Sequence, residues 1–432
     1  MKKTLILVLI TLALSSLFAI EFSGEFKTKH AWTDGAILED GNQRASENFA
    51  ESKFILGMEY TPYEYFSIYF SIKAGTYFWG DEDNLGMFID KATINTEYLY
   101  ATYTALPNTE LTLGLLPWND RRSLILDEAL SGLFASFFCP KTDLTVDAGI
   151  AVLRTAYTVQ SEEGEKIFPD YVTDWNEKAS DGSDNMMYFF GLDWKEFLGF
   201  QTIFNTYKPD AKYDHKRVYN FWAMPYFSYV CELINLDLIL GMNYESYERD
   251  DEVKITNTGF AAVLDVEFNT NFGTPGLNVL FTTGDDGKNP EATSFFQTIS
   301  SDFQNGLELF GKGIFEDSPR DSYEFDPFNE GLGILSLVAR YDYPITENLT
   351  GKFAAGWVQS MIDKKYYLDE NGIEYHDELD TDIGLEVNLG IQYKLFDNAY
   401  IKMLGLFGSP GKFFGEDLDN IFGVHTVLEV KF

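Results

Sequence analysis

The chain has one pair of adjacent arginines, in the stretch Asn119-Asp120-Arg121-Arg122-Ser123-Leu124-Ile125-Leu126-Asp127-Glu128-Ala129-Leu130. A guanidinium is a planar fork of N–H donors, so two in tandem suit carboxylates, other anions or sugar hydroxyls. The apolar residues that follow are unusual for a solvated connection. Two readings stand. In one the stretch folds inward and narrows a channel, with Arg121 and Arg122 meeting anionic or sugar groups. In the other the arginines pair at a rim with Asp120, Asp127 or Glu128.

Other ligating side chains are sparse. Asp285-Asp286-Gly287, with Asn289 and Glu291, offers oxygen ligands of the kind Ca²⁺ takes. The spacing departs from an EF-hand loop, and a solvated acidic turn is the alternative; no other metal and no cofactor is expected. His30, His215, His376 and His425 are scattered. No Gly-x-Ser-x-Gly elbow, His-Glu-x-x-His helix or Walker loop occurs, so an enzyme is not expected. Cys139 and Cys231 are too few for a zinc site or a disulfide framework, and two free thiols several strands apart are expected.

The elements that must position these residues begin with a leader. Lys2 and Lys3 precede an apolar run, Leu5 to Leu14, broken by Thr11, and Leu17-Phe18-Ala19 offers a cleavage site. Residues 1–19 therefore read as a secretory signal peptide. Ile20 follows in place of Cys, so no lipid anchor is expected. An uncleaved membrane anchor is the alternative, but the run is shorter than the roughly 20 residues a span needs. No later stretch is long and apolar enough for a transmembrane helix.

Beyond residue 20 the dominant pattern is period two. From Asp382 to Leu395 the odd positions are Ile383, Leu385, Val387, Leu389, Ile391, Tyr393 and Leu395, while Glu386, Asn388, Gln392 and Lys394 fall between them. One face is apolar and the other wet, as a strand between two environments requires. Eighteen such segments occur, with 16 strands the alternative count: 21–32, 51–61, 65–79, 90–105, 110–118, 131–139, 142–155, 184–194, 197–208, 217–230, 233–246, 256–269, 276–283, 332–344, 348–359, 381–395, 399–407 and 421–432. Aromatics make up 16% of the chain, which favours strands and suits the belts at two membrane surfaces. The fold expected for 20–432 is all-β: a single transmembrane antiparallel up-and-down barrel. Both termini lie at one end, and strand 421–432 pairs with strand 21–32, because hydrocarbon tolerates no open sheet edge. The first strand starts at once, which leaves no room for an N-terminal plug domain.

Connections alternate between short and long, as periplasmic turns and external loops do. The formal charge is −36, or −38 once Lys2 and Lys3 leave with the leader, and such a surface repels nucleic acid. The acidity concentrates in long connections: segment 284–331 has 11 acids against 3 bases, 360–380 has 7 against 2, and 156–184 has 8 against 2. Segment 284–331 also contains Phe295, Phe296, Phe303, Phe310, Phe315 and Phe325, which could cap or plug a pore. Charges on the wet face point inward, because Lys or Arg at the lipid midplane costs about 2–4 kcal/mol. Expected pore-lining residues are Lys73, Lys91, Glu97, Asp265, Glu267, Arg340, Asp342, Lys352, Glu386, Lys394 and Lys402. They line a water-filled channel, or they only brace the wall through salt bridges.

Phe432, preceded by Val430 and Leu428, resembles the C-terminal signal read by the barrel-assembly machinery of Gram-negative bacteria. Leu111-Thr112-Leu113-Gly114-Leu115-Leu116, leading through Arg121-Arg122 to Gly132-Leu133-Phe134-Ala135, resembles a strand–loop–strand segment of alginate-export-type porins. So do Gly384-Leu385-Glu386-Val387-Asn388-Leu389, Tyr393-Lys394-Leu395 and Gly408-Ser409-Pro410-Gly411-Lys412. The resemblance implies an eighteen-stranded monomeric channel in a diderm outer membrane, in contact with lipid and a lipopolysaccharide-type surface. One departure matters: that family's lumen is strongly basic, whereas the inward face here carries slightly more acids than bases. The function expected is passive diffusion of small hydrophilic solutes. The alternative is a structural or adhesive barrel whose pore is blocked by loop 284–331.

Overall fold

The computed structural model describes residues 20–35, 37, 46–79, 94–152, 186–195, 197–207, 218–248, 254–289, 291–311, 326–368, 374–415 and 418–432. Period-two segments become strands because alternation gives a pleated ribbon one apolar and one polar face. Among the described residues, eighteen of them form one closed antiparallel barrel. They are β1 (Ile20–Asp34), β2 (Glu47–Tyr63), β3 (Phe66–Trp79), β4 (Ile94–Tyr103), β5 (Thr109–Asn119), β6 (Asp127–Cys139), β7 (Leu144–Val152), β8 (Met186–Trp194) and β9 (Leu198–Tyr207). The second half comprises β10 (Val218–Val230), β11 (Ile234–Glu248), β12 (Lys254–Phe268), β13 (Thr274–Thr282), β14 (Ile334–Pro344), β15 (Leu349–Ser360), β16 (Asp382–Phe396), β17 (Ala399–Pro410) and β18 (Ile421–Lys431). Each overlaps one expected segment. The largest shifts, of four residues, are at the starts of β2 (Glu47, expected at 51), β4 (Ile94, expected at 90) and β6 (Asp127, expected at 131).

Each strand pairs with the next, and β1 pairs with β18 from Glu25↔Lys431 to Asp34↔Phe422, which closes the wall. Phe432 extends the seam: its N–H donates to the Gly24 carbonyl at 3.0 Å, and the Gly24 N–H donates back at 2.7 Å. A Cβ on Gly24 would stand 2.5 Å from the Phe432 ring, so only glycine leaves room there. One end of the barrel carries tight turns such as 64–65, 140–143 and 397–398, and the other carries the long connections. Left-handed Asn108 and Asp143 close two of the tight turns, a conformation these short polar residues tolerate. Within the long connection 361–381, Lys364–Leu368 and Glu374–Glu378 add a separate two-stranded hairpin.

The two faces are chemically distinct. Leu113, Leu240 and Leu389 are exposed on the outer face, while Asp265 and Glu386 are buried on the inner one. Outward apolar exposure is what a hydrocarbon surrounding demands. One outward assignment fails: Ile383, beside the bulge at Val358/Gln359, is buried in the internal core.

That internal core is not made by the wall alone. Leu124, Ile125 and Leu126 from the β5–β6 connection and Phe296, Phe303, Leu307, Leu309 and Phe310 from the β13–β14 connection join Trp222, Ile239, Val263 and Val338 of the inner wall in one apolar cluster. Two long connections therefore fold into the barrel.

Candidate functional site: an internal constriction

The β5–β6 connection turns inward through a short 3₁₀ segment, Arg121–Ser123, in which Arg122 (φ 64°) and Ser123 (φ 54°) are left-handed. Such residues cost about 1–3 kcal/mol each and persist only where the surroundings fix them. The fixing group is the Asp120 carboxylate. It accepts backbone N–H bonds from Leu124 at 3.0 Å, Ile125 at 2.9 Å and Leu126 at 2.5 Å. Burial pushes its pKa up to about 7, against the opposing pull of those donors.

The two in-folded connections are bonded to each other. Leu126 and Ser300 form a parallel bridge. The Ile299 and Ser300 N–H groups donate to the Ile125 carbonyl at 2.9 and 3.0 Å, and the Asp302 N–H donates to the Ser123 carbonyl at 3.0 Å. The Ser300 hydroxyl donates to Glu128 at 2.7 Å. Further along, the Glu386 carboxylate on β16 accepts the N–H groups of Glu308 at 2.6 Å, Leu309 at 3.0 Å and Phe310 at 2.9 Å. Glu386 stands in register between Gly356 on β15 and Gly408 on β17. A Cβ on Gly408 would lie 2.5 Å from Leu309, so the missing side chain leaves the slot the segment enters.

The arginines then reach side chains on β9 to β12. Arg121 pairs with Asp237 on β11, stands 4.8 Å over the Tyr226 ring, and donates its backbone N–H to Gln201 at 2.8 Å. Arg122 pairs with Asp265 on β12 at 2.5 Å. Asp265 also accepts from Arg340 at 2.7 Å and from Asn278 at 2.7 Å. Arg340 reaches Glu267 at 3.4 Å, and Lys352 pairs with Asp342 at 2.6 Å. A chain of alternating charge thus runs from β11 to β14, with the Lys352–Asp342 pair as a neighbour. Beside it lies a cavity of about 390 Å³ lined by Glu267, Gln304, Arg340, Asp342 and Lys352, among others.

The arginine pair sits on a connection whose apolar residues Leu124, Ile125 and Leu126 join the internal core. The arginines' acidic partners are Asp237 and Asp265 on β11 and β12, not Asp120, Asp127 or Glu128. Asp265, Glu267, Arg340, Asp342 and Lys352 gather on one wall. Lys402 lies apart, paired with Glu429 on β18 at 2.5 Å. Lys73 on β3 has no ion pair among the described residues. Glu97 falls at a bulge opposite Ser71/Ile72, where parity does not fix its face. Lys394 pairs with Asp397 in the tight turn at 2.8 Å, so it belongs to the rim. Glu386 faces inward but holds a backbone and does not line open water. Lys91 and His215 lie outside the described residues. Asp285 spends its carboxylate on the N–H groups of Gly287 and Ser294, at 2.8 and 2.7 Å, as an acidic turn does. Cys139 and Cys231 are free thiols. Reasoning from sequence named Asp120 only as a rim partner of the arginines and passed over Gln201, Tyr226 and Asp237 as site residues. Nothing local to Asp237 marks its partner Arg121, 116 residues away.

No protein-family model matches the sequence, and no curated protein does. Solved structures do. The chain superposes on OccK9 (OpdG) of Pseudomonas aeruginosa with a TM-score of 0.55 at 12% identity, covering 96% of this chain and 100% of that one. OccK8 (OprE) of the same organism gives 0.52 at 12% identity, covering 96% and 98%. A BenF-like porin from Pseudomonas fluorescens Pf-5 gives 0.52 at 9% identity, covering 95% and 98%. At such identities the likeness concerns the fold, and along nearly its whole length this chain has the barrel of solved porins.

Proposed function

We propose that the chain is an integral outer-membrane channel for passive diffusion of small hydrophilic solutes, narrowed by residues 120–126 and 294–311. One observation carries this reading: two connections bonded to each other inside a closed barrel aim Arg121 and Arg122 at Asp237 and Asp265. The porin fold of the solved neighbours supports the same reading. Kinship with alginate-export-type porins rests on segments 111–116, 132–135, 384–389 and 408–412. Acids recur along the constricting wall, which favours neutral, zwitterionic or cationic solutes over a polyuronate.

Conductance of the purified chain in planar bilayers tests the proposal. Discrete steps with cation preference in a salt gradient are expected, because acidic external connections concentrate cations. The R121Q/R122Q variant removes two positive charges and should raise that preference. Absence of conductance would turn the reading to a blocked, structural barrel.

A further inference from the structure

Behind the in-folded segment lies a polar layer that the channel reading does not use. Asn205 on β9, Asn220 on β10, Glu245 on β11 and Asn257 on β12 stand in register on four neighbouring strands. All four are buried, with Glu245 the most exposed at 5%. Segment 293–297 covers them. The Asn257 amide donates to the Phe295 carbonyl at 3.1 Å, and the Thr293 hydroxyl donates to Asn257 Oδ1 at 3.1 Å. The Gln297 N–H donates to Asn243 Oδ1 at 3.2 Å, and the Gln297 side chain lies beside the Glu245 carboxylate.

The oxygens left over define the site. Asn205 Oδ1, Asn220 Oδ1 and Gln297 Oε1 are buried without a partner. Glu245 has Gln297 beside it but, among the described residues, no cationic side chain. Burying a carboxylate without a counter-charge is strongly unfavourable, and so is burying several amide oxygens with nothing to bond. A single occupant would satisfy all of them at once.

We propose that this layer binds a hard, oxygen-seeking cation of the Ca²⁺ class, held by Glu245 and the amide oxygens of Asn220, Asn205 and Gln297. Ca²⁺ takes about 6–8 oxygens at roughly 2.3–2.6 Å, and its coordination geometry is flexible. The carboxylate supplies two, the amides supply three, and water completes the shell. The unpartnered amide nitrogens of Asn220 and Asn243 can hydrogen-bond that water. Asn220 is the middle residue of Asn205–Asn220–Glu245, with flanking strands about 4.8 Å to either side, so the ion centres on it. Because Gln297 comes from the in-folded segment, the ion also fastens that segment to the wall.

The full chain, folded in detergent and stripped with EDTA, is titrated with Tb³⁺, a Ca²⁺ mimic whose emission is excited by energy transfer from nearby tryptophan. Trp222 suits this, two residues from Asn220 and bonded to the Gln297 carbonyl at 2.8 Å. One tightly bound Tb³⁺ per chain, displaced by Ca²⁺, is expected. In E245Q the affinity falls at least tenfold, and the rise in melting temperature that Ca²⁺ gives the wild type disappears. N220A, which keeps the carboxylate, also weakens binding. D286N removes an exposed carboxylate from an external acidic turn and leaves the signal unchanged. Equal emission from wild type, E245Q and N220A would mean that only the external acids take up metal, and the proposal would be wrong. So would the absence of stoichiometric uptake.

Discussion

Replacing Glu386 by glutamine should unseat the β13–β14 connection without opening the barrel. The carboxylate is fully buried and serves three successive backbone N–H groups, with Oε1 also accepting from Asn388 at 2.7 Å. Glutamine keeps the shape but turns one acceptor oxygen into an NH₂ donor, which then faces an N–H. Hydrogen bonds to a charged group contribute about 1.5–3 kcal/mol each. The bonds share one carboxylate and do not add fully, so a total loss of about 3 kcal/mol is reasonable. That is a shift of roughly 150-fold toward the unseated state. Burial of Leu309 and Phe310 still favours seating, at about 1.5–3 kcal/mol per side chain. E386Q should therefore open often and briefly but not stand open. Single-channel recording would show frequent excursions to a larger conductance, and protease would cut near residues 305–311 faster than in wild type. The unheated barrel should still migrate as a folded species on a gel, because no wall hydrogen bond is touched. Wild-type conductance together with wild-type protease resistance in E386Q would refute the reasoning.

Two further outcomes are expected. Asp120 lies outside the spanning strands, and its seated carboxyl has a pKa raised to about 7 from the ordinary aspartate value of 3.8. The stabilisation linked to that shift is complete below the free value and is lost as pH rises through 7. Current noise should grow between pH 4 and pH 8, and D120N should flatten that dependence. G24V would drive a side chain into the Phe432 ring and break the seam between first and last strands. The yield of heat-modifiable barrel should drop sharply, and normal yield would show that the ring is free to move aside.

Period two made the wall legible. Alternation at Leu385, Val387 and Leu389 against Glu386 and Asn388 fixes both the strand and its orientation, because lipid rejects the opposite register. The same logic misplaced Ile383, since a bulge alters the parity it relies on. The apolar run Leu124–Leu126 was a fair signal that its connection folds inward. What it docks against was not legible: Arg122 and Asp265 are 143 residues apart, and only the closed barrel brings them together. Glu386 shows the limit most clearly. Its inward direction follows from spacing, but its work depends on backbone donors 76 to 78 residues upstream. Likewise, Asn205, Asn220 and Glu245 look like ordinary wet-face residues until a loop covers them.

The pairing of Phe26 with Val430 spans roughly 400 residues of chain. The ribbon synthesised earliest must therefore wait, with one row of peptide groups unmatched, until the ribbon synthesised last arrives. Such an edge readily recruits foreign strands. Contacts this distant in sequence also form slowly. The leading edge is therefore the part of the polypeptide most open to mispairing before closure, and the delay is longest for the end that emerges first.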